Sequence, residues 1–253
     1  MARISERECY QKRNNNFAGK LGSDKSHMLF ASEFENHPVH TPEFRTILSL
    51  LFESAKDSVM FHLVTGAAPA DEADKLENLI GLSNTLKFDI KYANDQNIFG
   101  FQIYQKPSAF LSKVAAQALL KAQHHFAKFN IGLIVYDAYH PWFVTKFIWD
   151  VIPNEKRQFV ADPKYGSAQN RGCALDVGLY DLQSGHELEM VSKYGELTER
   201  SSPTYFGGTS LQRFNRELLI DEMNKCGFSV DAHKWWHFRH KEWKNSPLLN
   251  IAI

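Results

Sequence analysis

A 23-residue stretch of helical periodicity, PSAFLSKVAAQALLKAQHHFAKF (107–129), lies between two strand-like segments, LKFDIKY (86–92) and NIGLIVYDAY (130–139). Beyond residue 139 any regular alternation breaks down. A second helix, WFVTKFIWDVI (142–152), comes almost at once, and after it a Gly-rich loop and a strand, CALDVGLYDL (173–182), with turn chemistry at QSGH. TSLQRFNRELLIDEMNKCGF (209–228) is a helix with Thr209 as N-cap and Gly227 as its stop, and a final strand carries KWWHF (234–238). Strands and helices mix without a βαβ rhythm. The pattern therefore predicts an α+β fold, a mixed or antiparallel central sheet flanked by helices, and not a doubly wound sheet.

The amino-terminal part reads differently. Its first forty residues are polar and irregular, and then TPEFRTILSLLFESAKDSVMFHLV has the start signals of a helix. Thr41 is placed as N-cap, Pro42 at the first helical position and Glu43 in the first turn. Leu48, Leu51, Phe52, Ala55 and Val59 recur at helical spacing. GAAPADEADK (66–75) is the most loop-like segment, so residues 1–75 are expected to form a partly helical extension and residues 76–253 the main domain.

Bulk properties exclude several functions. With 43% apolar and 13% aromatic residues the chain has the composition of a globular protein. Its 29 basic and 29 acidic residues balance, which gives no net pull toward nucleic acid or an anionic membrane and favours a small-molecule partner. There is no apolar run of about 18 residues, and the polar start MARISERECYQKRNNN lacks a secretory h-region. Cys9, Cys173 and Cys226 are odd in number and widely spaced, against a disulfide framework and for a reducing compartment, so a cytoplasmic location is expected.

Two short stretches carry the chemistry. A zinc peptidase needs three ligands drawn from His, Asp and Glu, an open fourth position for water, and a carboxylate base. His-x6-Asp on a loop and strand, with Glu-x-x-His on a distant strand, supplies all four groups. Here the corresponding spacings read Gln169-x6-Asp176, within GSAQNRGCALD, and Lys234-x-x-His237. Two of the four groups are of the right type.

From about residue 80 onward the chain resembles the D-Ala-D-Ala dipeptidases, the zinc enzymes that include the vancomycin-resistance dipeptidase. The resemblance is carried in collinear order by FDIKYANDQNIFG (88–100), YDAYHPWFVTKFIWD (136–150), VADPKYGSAQNRGCALDVGLYD (160–181), YFGGTSLQRFNRELL (205–219) and KWWHF (234–238). It implies a bacterial, dipeptidase-like protein whose metal positions are Gln169, Asp176 and His237. It also implies a base position at Lys234 and, at His140, the position of an Arg that stabilises the reacting carbonyl oxygen. Tyr139, Arg171, Trp235 and Trp236 fall where pocket or substrate contacts are expected, and Asp137 where loop geometry is held.

Each departure has a physical meaning. Gln169 offers a neutral amide oxygen in place of imidazole, a weak donor for zinc. Lys234 replaces a proton acceptor by a cation. His140 lacks the guanidinium fork. Together they point to a degenerate, non-hydrolytic homologue that keeps a pocket for a small molecule or dipeptide-like ligand, with no cofactor or a weakly bound divalent metal, zinc or iron. An enzyme of altered chemistry in the same cavity is the alternative, built on Lys234, His140, Asp176 and His237; residual dipeptidase activity is the third reading. Asp176 and His237 persist either as a hydrogen-bonded pair or as metal ligands, and a relocated His140 would complete a two-His-one-carboxylate set. Strand alternation would put His233 and His237 on one face and His240 on the other. His124, His125, His37 and His40 read as solvated. Association of copies through the N-terminal segment is a further expectation.

Overall fold

The computed structural model describes residues 75–251 together with positions 42, 45, 46, 48–50, 52 and 53, all within the compact unit Val39–Ile253. The described positions between 42 and 53 are helical. Leu48 and Phe52 are buried there, with the Phe52 ring 5.0 Å from that of Phe147 and 6.2 Å from that of Phe101. Thr41, Glu43, Leu51, Ala55 and Val59, His37 and His40, and nearly all of the loop 66–75 lie outside the described residues.

Beyond this helical segment, the described residues form seven strands and three α-helices. The strands are β1 (Leu76–Asn78), β2 (Lys87–Phe88), β3 (Phe110–Ser112), β4 (Ile131–Asp137), β5 (Ala174–Asp181), β6 (Phe228–Val230) and β7 (His237–His240). The helices are α1 (Lys113–Ala127), α2 (Trp142–Val151) and α3 (Ser210–Lys225). β1 and β3 form an antiparallel pair, while the main sheet runs β2-β4-β5-β7-β6. β2 is parallel to β4 and every other pairing is antiparallel, so the sheet is mixed.

Alternation along these strands separates two faces. Leu133, Val135, Leu175, Val177, Leu179 and Phe238 are fully buried on one of them. Helices α1 and α3 pack on each other and on the sheet, adding Leu119, Phe126, Leu219 and Met223 to the same core. On the other face stand Ile134, Tyr180, Asp137, Asp176 and His237. Here two glycines are required by close approach: a Cβ on Gly178 would lie 2.4 Å from the Tyr136 hydroxyl oxygen, and one on Gly132 would lie 2.2 Å from the Tyr180 ring.

Helix α3 starts as its sequence predicts. The Thr209 side chain accepts from the Gln212 amide while the Gln212 side chain accepts from the Thr209 amide, a reciprocal capping box. Gly227 ends the turn at φ +87°.

Elsewhere the boundaries differ from expectation for identifiable reasons. The strand expected over 86–92 is ordered only at Lys87–Phe88, because the chain turns into a 3-10 helix at Lys91–Ala93 after Asp89 N–H reaches the Val135 carbonyl. The helix expected from residue 107 begins at Lys113, since Phe110–Ser112 pairs with β1 and Ser112 then caps the helix. The last strand starts at His237, so Lys234, Trp235 and Trp236 occupy the preceding loop. There His237 N–H bonds the Lys234 carbonyl and Trp235 N–H bonds the Ser201 carbonyl. His233 therefore shares no strand face with His237.

Candidate functional site

Three adjacent strands supply the floor of the site as a single cross-strand row. Asp137 of β4 pairs with Asp176 of β5, which pairs with His237 of β7. Regular alternation would have left position 137 out of step; a register shift between Val135 and Asp137 brings its carboxyl onto the row. All three residues are buried at the base of a cavity of about 640 Å³.

Each member of the row is bound by protein groups. Asp137 Oδ1 accepts from the Tyr104 hydroxyl at 3.0 Å, and its Oδ2 lies 2.9 Å from the Gln169 Nε2 donor and 3.2 Å from His140 Nδ1. Asp176 Oδ1 lies 2.7 Å from His237 Nδ1, and its Oδ2 accepts from the Tyr194 hydroxyl at 2.9 Å. Burial pushes the Asp137 carboxyl up, and the bond from His140 opposes that rise. Burial, reinforced by these carboxylates, also holds the Tyr104 and Tyr194 phenols well above their ordinary range, which keeps both as donors.

His140 is immobilised at both ring nitrogens. Its Nε2 lies 2.9 Å from Thr145 Oγ1, and the Asn170 amide donates to Thr145 at 2.8 Å and to the His140 carbonyl at 2.9 Å. It is therefore spent on Asp137 and Thr145 and joins no set with Asp176 and His237. Gln169 opens a short 3-10 turn, Gln169–Arg171, which closes on Gly172 at φ +63°. A Cβ on Gly172 would lie 2.9 Å from the Ser112 backbone nitrogen, so glycine is required for this loop to pack against β3.

Burial, and then the nearby Lys234, depress His237, opposing the effect of its bond to Asp176. A neutral ring that donates from Nδ1 to a carboxylate leaves a lone pair on Nε2. That nitrogen bonds no described residue. Lys234, half-buried, lines the same cavity, and its Nζ likewise bonds no described residue. Asp231 and Arg239 stand beside it, with Arg239 Nη2 3.7 Å from Asp231 Oδ2. Burial opposes ionisation of Asp231, yet Lys234, His237, the His233 amide and Arg239 hold its carboxyl below the usual range.

The structure brings Gln169, Asp176, His237, His140, Lys234 and Trp236 to the cavity. Three other expected contacts point elsewhere. Tyr139 is fully buried, with its hydroxyl bonded to both the carbonyl and the amide of Ile251. Arg171 reaches the Ser246 carbonyl. Trp235 donates to Ser192 Oγ and borders a neighbouring depression. His125 is not simply solvated, since its Nδ1 lies 3.2 Å from Glu222. Sequence reasoning missed Tyr104, Tyr194, Thr145 and Asn170; Tyr104, Tyr194 and Asn170 are distant in sequence from the groups they hold, Thr145 is five residues from His140, and no local motif marks any of them.

As a zinc site, these donors fit poorly. Both Asp176 oxygens and His237 Nδ1 bond protein partners, which leaves His237 only its Nε2 to offer, Gln169 contributes only an amide, and a cation, Lys234, stands where the resemblance implies the base. Among the described residues no group of three or more His, Cys, Asp or Glu side chains is arranged to hold a metal ion.

Comparison with known proteins accounts for the arrangement. The peptidase M15 family of D-Ala-D-Ala dipeptidases matches residues 72–246. The D-alanyl-D-alanine dipeptidase of Escherichia coli is 33% identical over 178 residues, 70% of this chain and 91% of the relative. That of Enterococcus faecalis is 29% identical over 61% of this chain and 85% of the relative. A solved LD-carboxypeptidase structure, LdcB, aligns at TM-score 0.36 and 22% identity over 54% of this chain and 63% of that one, too slight a likeness to bear on the site. With the match spanning both the Gln169 loop and the strand that begins at His237, the chain belongs to the D-Ala-D-Ala dipeptidase family.

Proposed function

We propose that this chain is a member of its family that does not hydrolyse D-Ala-D-Ala and keeps the cavity as a pocket for a small molecule or dipeptide-like ligand. One observation carries this reading: the groups at the metal positions bond protein neighbours, and the base position holds Lys234. A dipeptidase must generate a nucleophilic water and stabilise the charge that develops on the carbonyl oxygen. Lys234, as an ammonium, has no lone pair to take the proton of that water, and His140 is fixed on Asp137 and Thr145, without a guanidinium to offer the oxygen. The donor set does not fit zinc, so no step is routed through a metal.

In the same reading, residues 1–75 are an extension that joins copies of the chain, and the protein is cytoplasmic, bacterial and independent of nucleic acid and membrane. No helix among the described residues is long and apolar enough to cross a membrane. A second reading, new chemistry in the cavity, is favoured by the Tyr194–Asp176–His237 chain of bonds, which orients a ring nitrogen beside an ammonium.

Incubation of the protein with D-Ala-D-Ala and excess zinc should release no D-Ala, and robust turnover would sink the proposal. The triple reversion Gln169→His, Lys234→Glu and His140→Arg should create both zinc binding and hydrolysis if only the working groups were lost.

A further inference from the structure

Lys234 is the feature of the cavity that the lost reaction leaves unexplained. Its loop is fixed by the main chain: Ser201 Oγ bonds the His233 carbonyl, Trp235 N–H bonds the Ser201 carbonyl, and His237 N–H returns to the Lys234 carbonyl. Trp235 and Trp236, both buried, anchor the next two positions. The Lys234 stem is thereby held at the cavity wall, while its ammonium has no hydrogen-bond partner among the described residues. Arg239, also on the wall, has a buried Nε with no partner among them. Its Nη2 lies 3.7 Å from Asp231, whose carboxyl the Lys234 charge also favours through space. With Lys234 and Arg239 against Asp231, and Lys193 against Glu196, the charged wall residues apart from the floor carry one more positive than negative charge.

The rest of the cavity narrows the ligand. Asp137 and Asp176 form the floor, and their oxygens already accept bonds from Tyr104, Gln169, Tyr194 and the two histidines. A dianion such as phosphate would bring a second negative charge toward that floor. A carboxylate brings one, which the wall balances. Ile148, Phe159 and Trp236 provide apolar wall for the remainder of such a molecule.

We infer that Lys234, seconded by Arg239, makes this cavity a binding site for the carboxylate of a small molecule that carries a single carboxylate. The inference rests on the reading that the cavity is retained for a small ligand. It differs from that reading in committing to a charge and to the residue that recognises it.

The test is a titration in EDTA, read by calorimetry and tryptophan fluorescence, with D-alanyl-D-alanine, its C-terminal amide, propionate and inorganic phosphate. The free-acid dipeptide should bind at least about ten-fold more tightly than the amide, the scale of one charge-assisted hydrogen bond. Lys234→Met should bring the acid to the level of the amide, and Lys234→Arg should keep the preference. Propionate that binds through Lys234 while the dipeptide does not would uphold the carboxylate site and remove the dipeptide from the proposed function. Zinc-dependent hydrolysis with the acid preference intact would remove only the non-hydrolytic reading. Equal binding of acid and amide, an unchanged Lys234→Met variant that circular dichroism shows to be folded, phosphate bound as well as propionate, or no Lys234-dependent binding of either carboxylate would each overturn the inference.

Discussion

On the helix-covered face of β4, β5 and β7 stand Leu133, Val135, Leu175, Val177 and Phe238; on the cavity face of the same strands stand Asp137, Asp176 and His237. The first set is held by shape and burial, which are interchangeable among apolar residues of similar volume. The second depends on named partners, because a buried polar group without one costs about 1–3 kcal/mol. One backbone thus carries a face that specifies the fold and a face that specifies chemistry, and the second can be rewritten while the first stands.

The contrast can be broken in a graded way. The largest effect is expected from Phe238→Ala, which empties a fully buried site between Leu175 and Val230 and should cost about 3–5 kcal/mol in urea unfolding. Asp137→Ala comes next, at about 3 kcal/mol, because Tyr104, Gln169 and His140 all lose their acceptor. If it cost as much as the Phe238 change, the polar face would be as deeply structural as the apolar one. Lys234→Met should shift stability by no more than about 0.5 kcal/mol, since the ammonium bonds nothing in the described protein. A large loss there would show that Lys234 is a structural residue and would erase the distinction at the position where it matters most.

The apolar face was largely legible in the sequence. The strand-like runs NIGLIVYDAY and CALDVGLYDL located β4 and β5, and Thr209 as N-cap marked the start of α3. The bulge before Asp137 was not legible, because nothing in VYDAY distinguishes a regular strand from one carrying an extra residue. Nor was the loop position of Trp235 and Trp236, aromatic residues with strand propensity, of which Trp235 donates its N–H to the Ser201 carbonyl and Trp236 accepts from Val177 N–H. At the site, resemblance pointed to Gln169, Asp176, Lys234 and His237, all of which line the cavity. It could not show that Gln169 and His140 converge on one Asp137 oxygen, or that Tyr104, 33 residues away, holds the other. Such bonds are properties of the folded chain and leave no periodic trace.

The loop that carries Lys234 has one more consequence. Its path is determined by main-chain bonds and by Ser201, none of which consults the side chain at position 234. Selection can therefore sample that position with little penalty in folding, turning over charge, reach and proton affinity on the wall of a cavity whose other walls stay in place. A protein arranged in this way can lose one activity and acquire another by single substitutions, without passing through an unfolded ancestor.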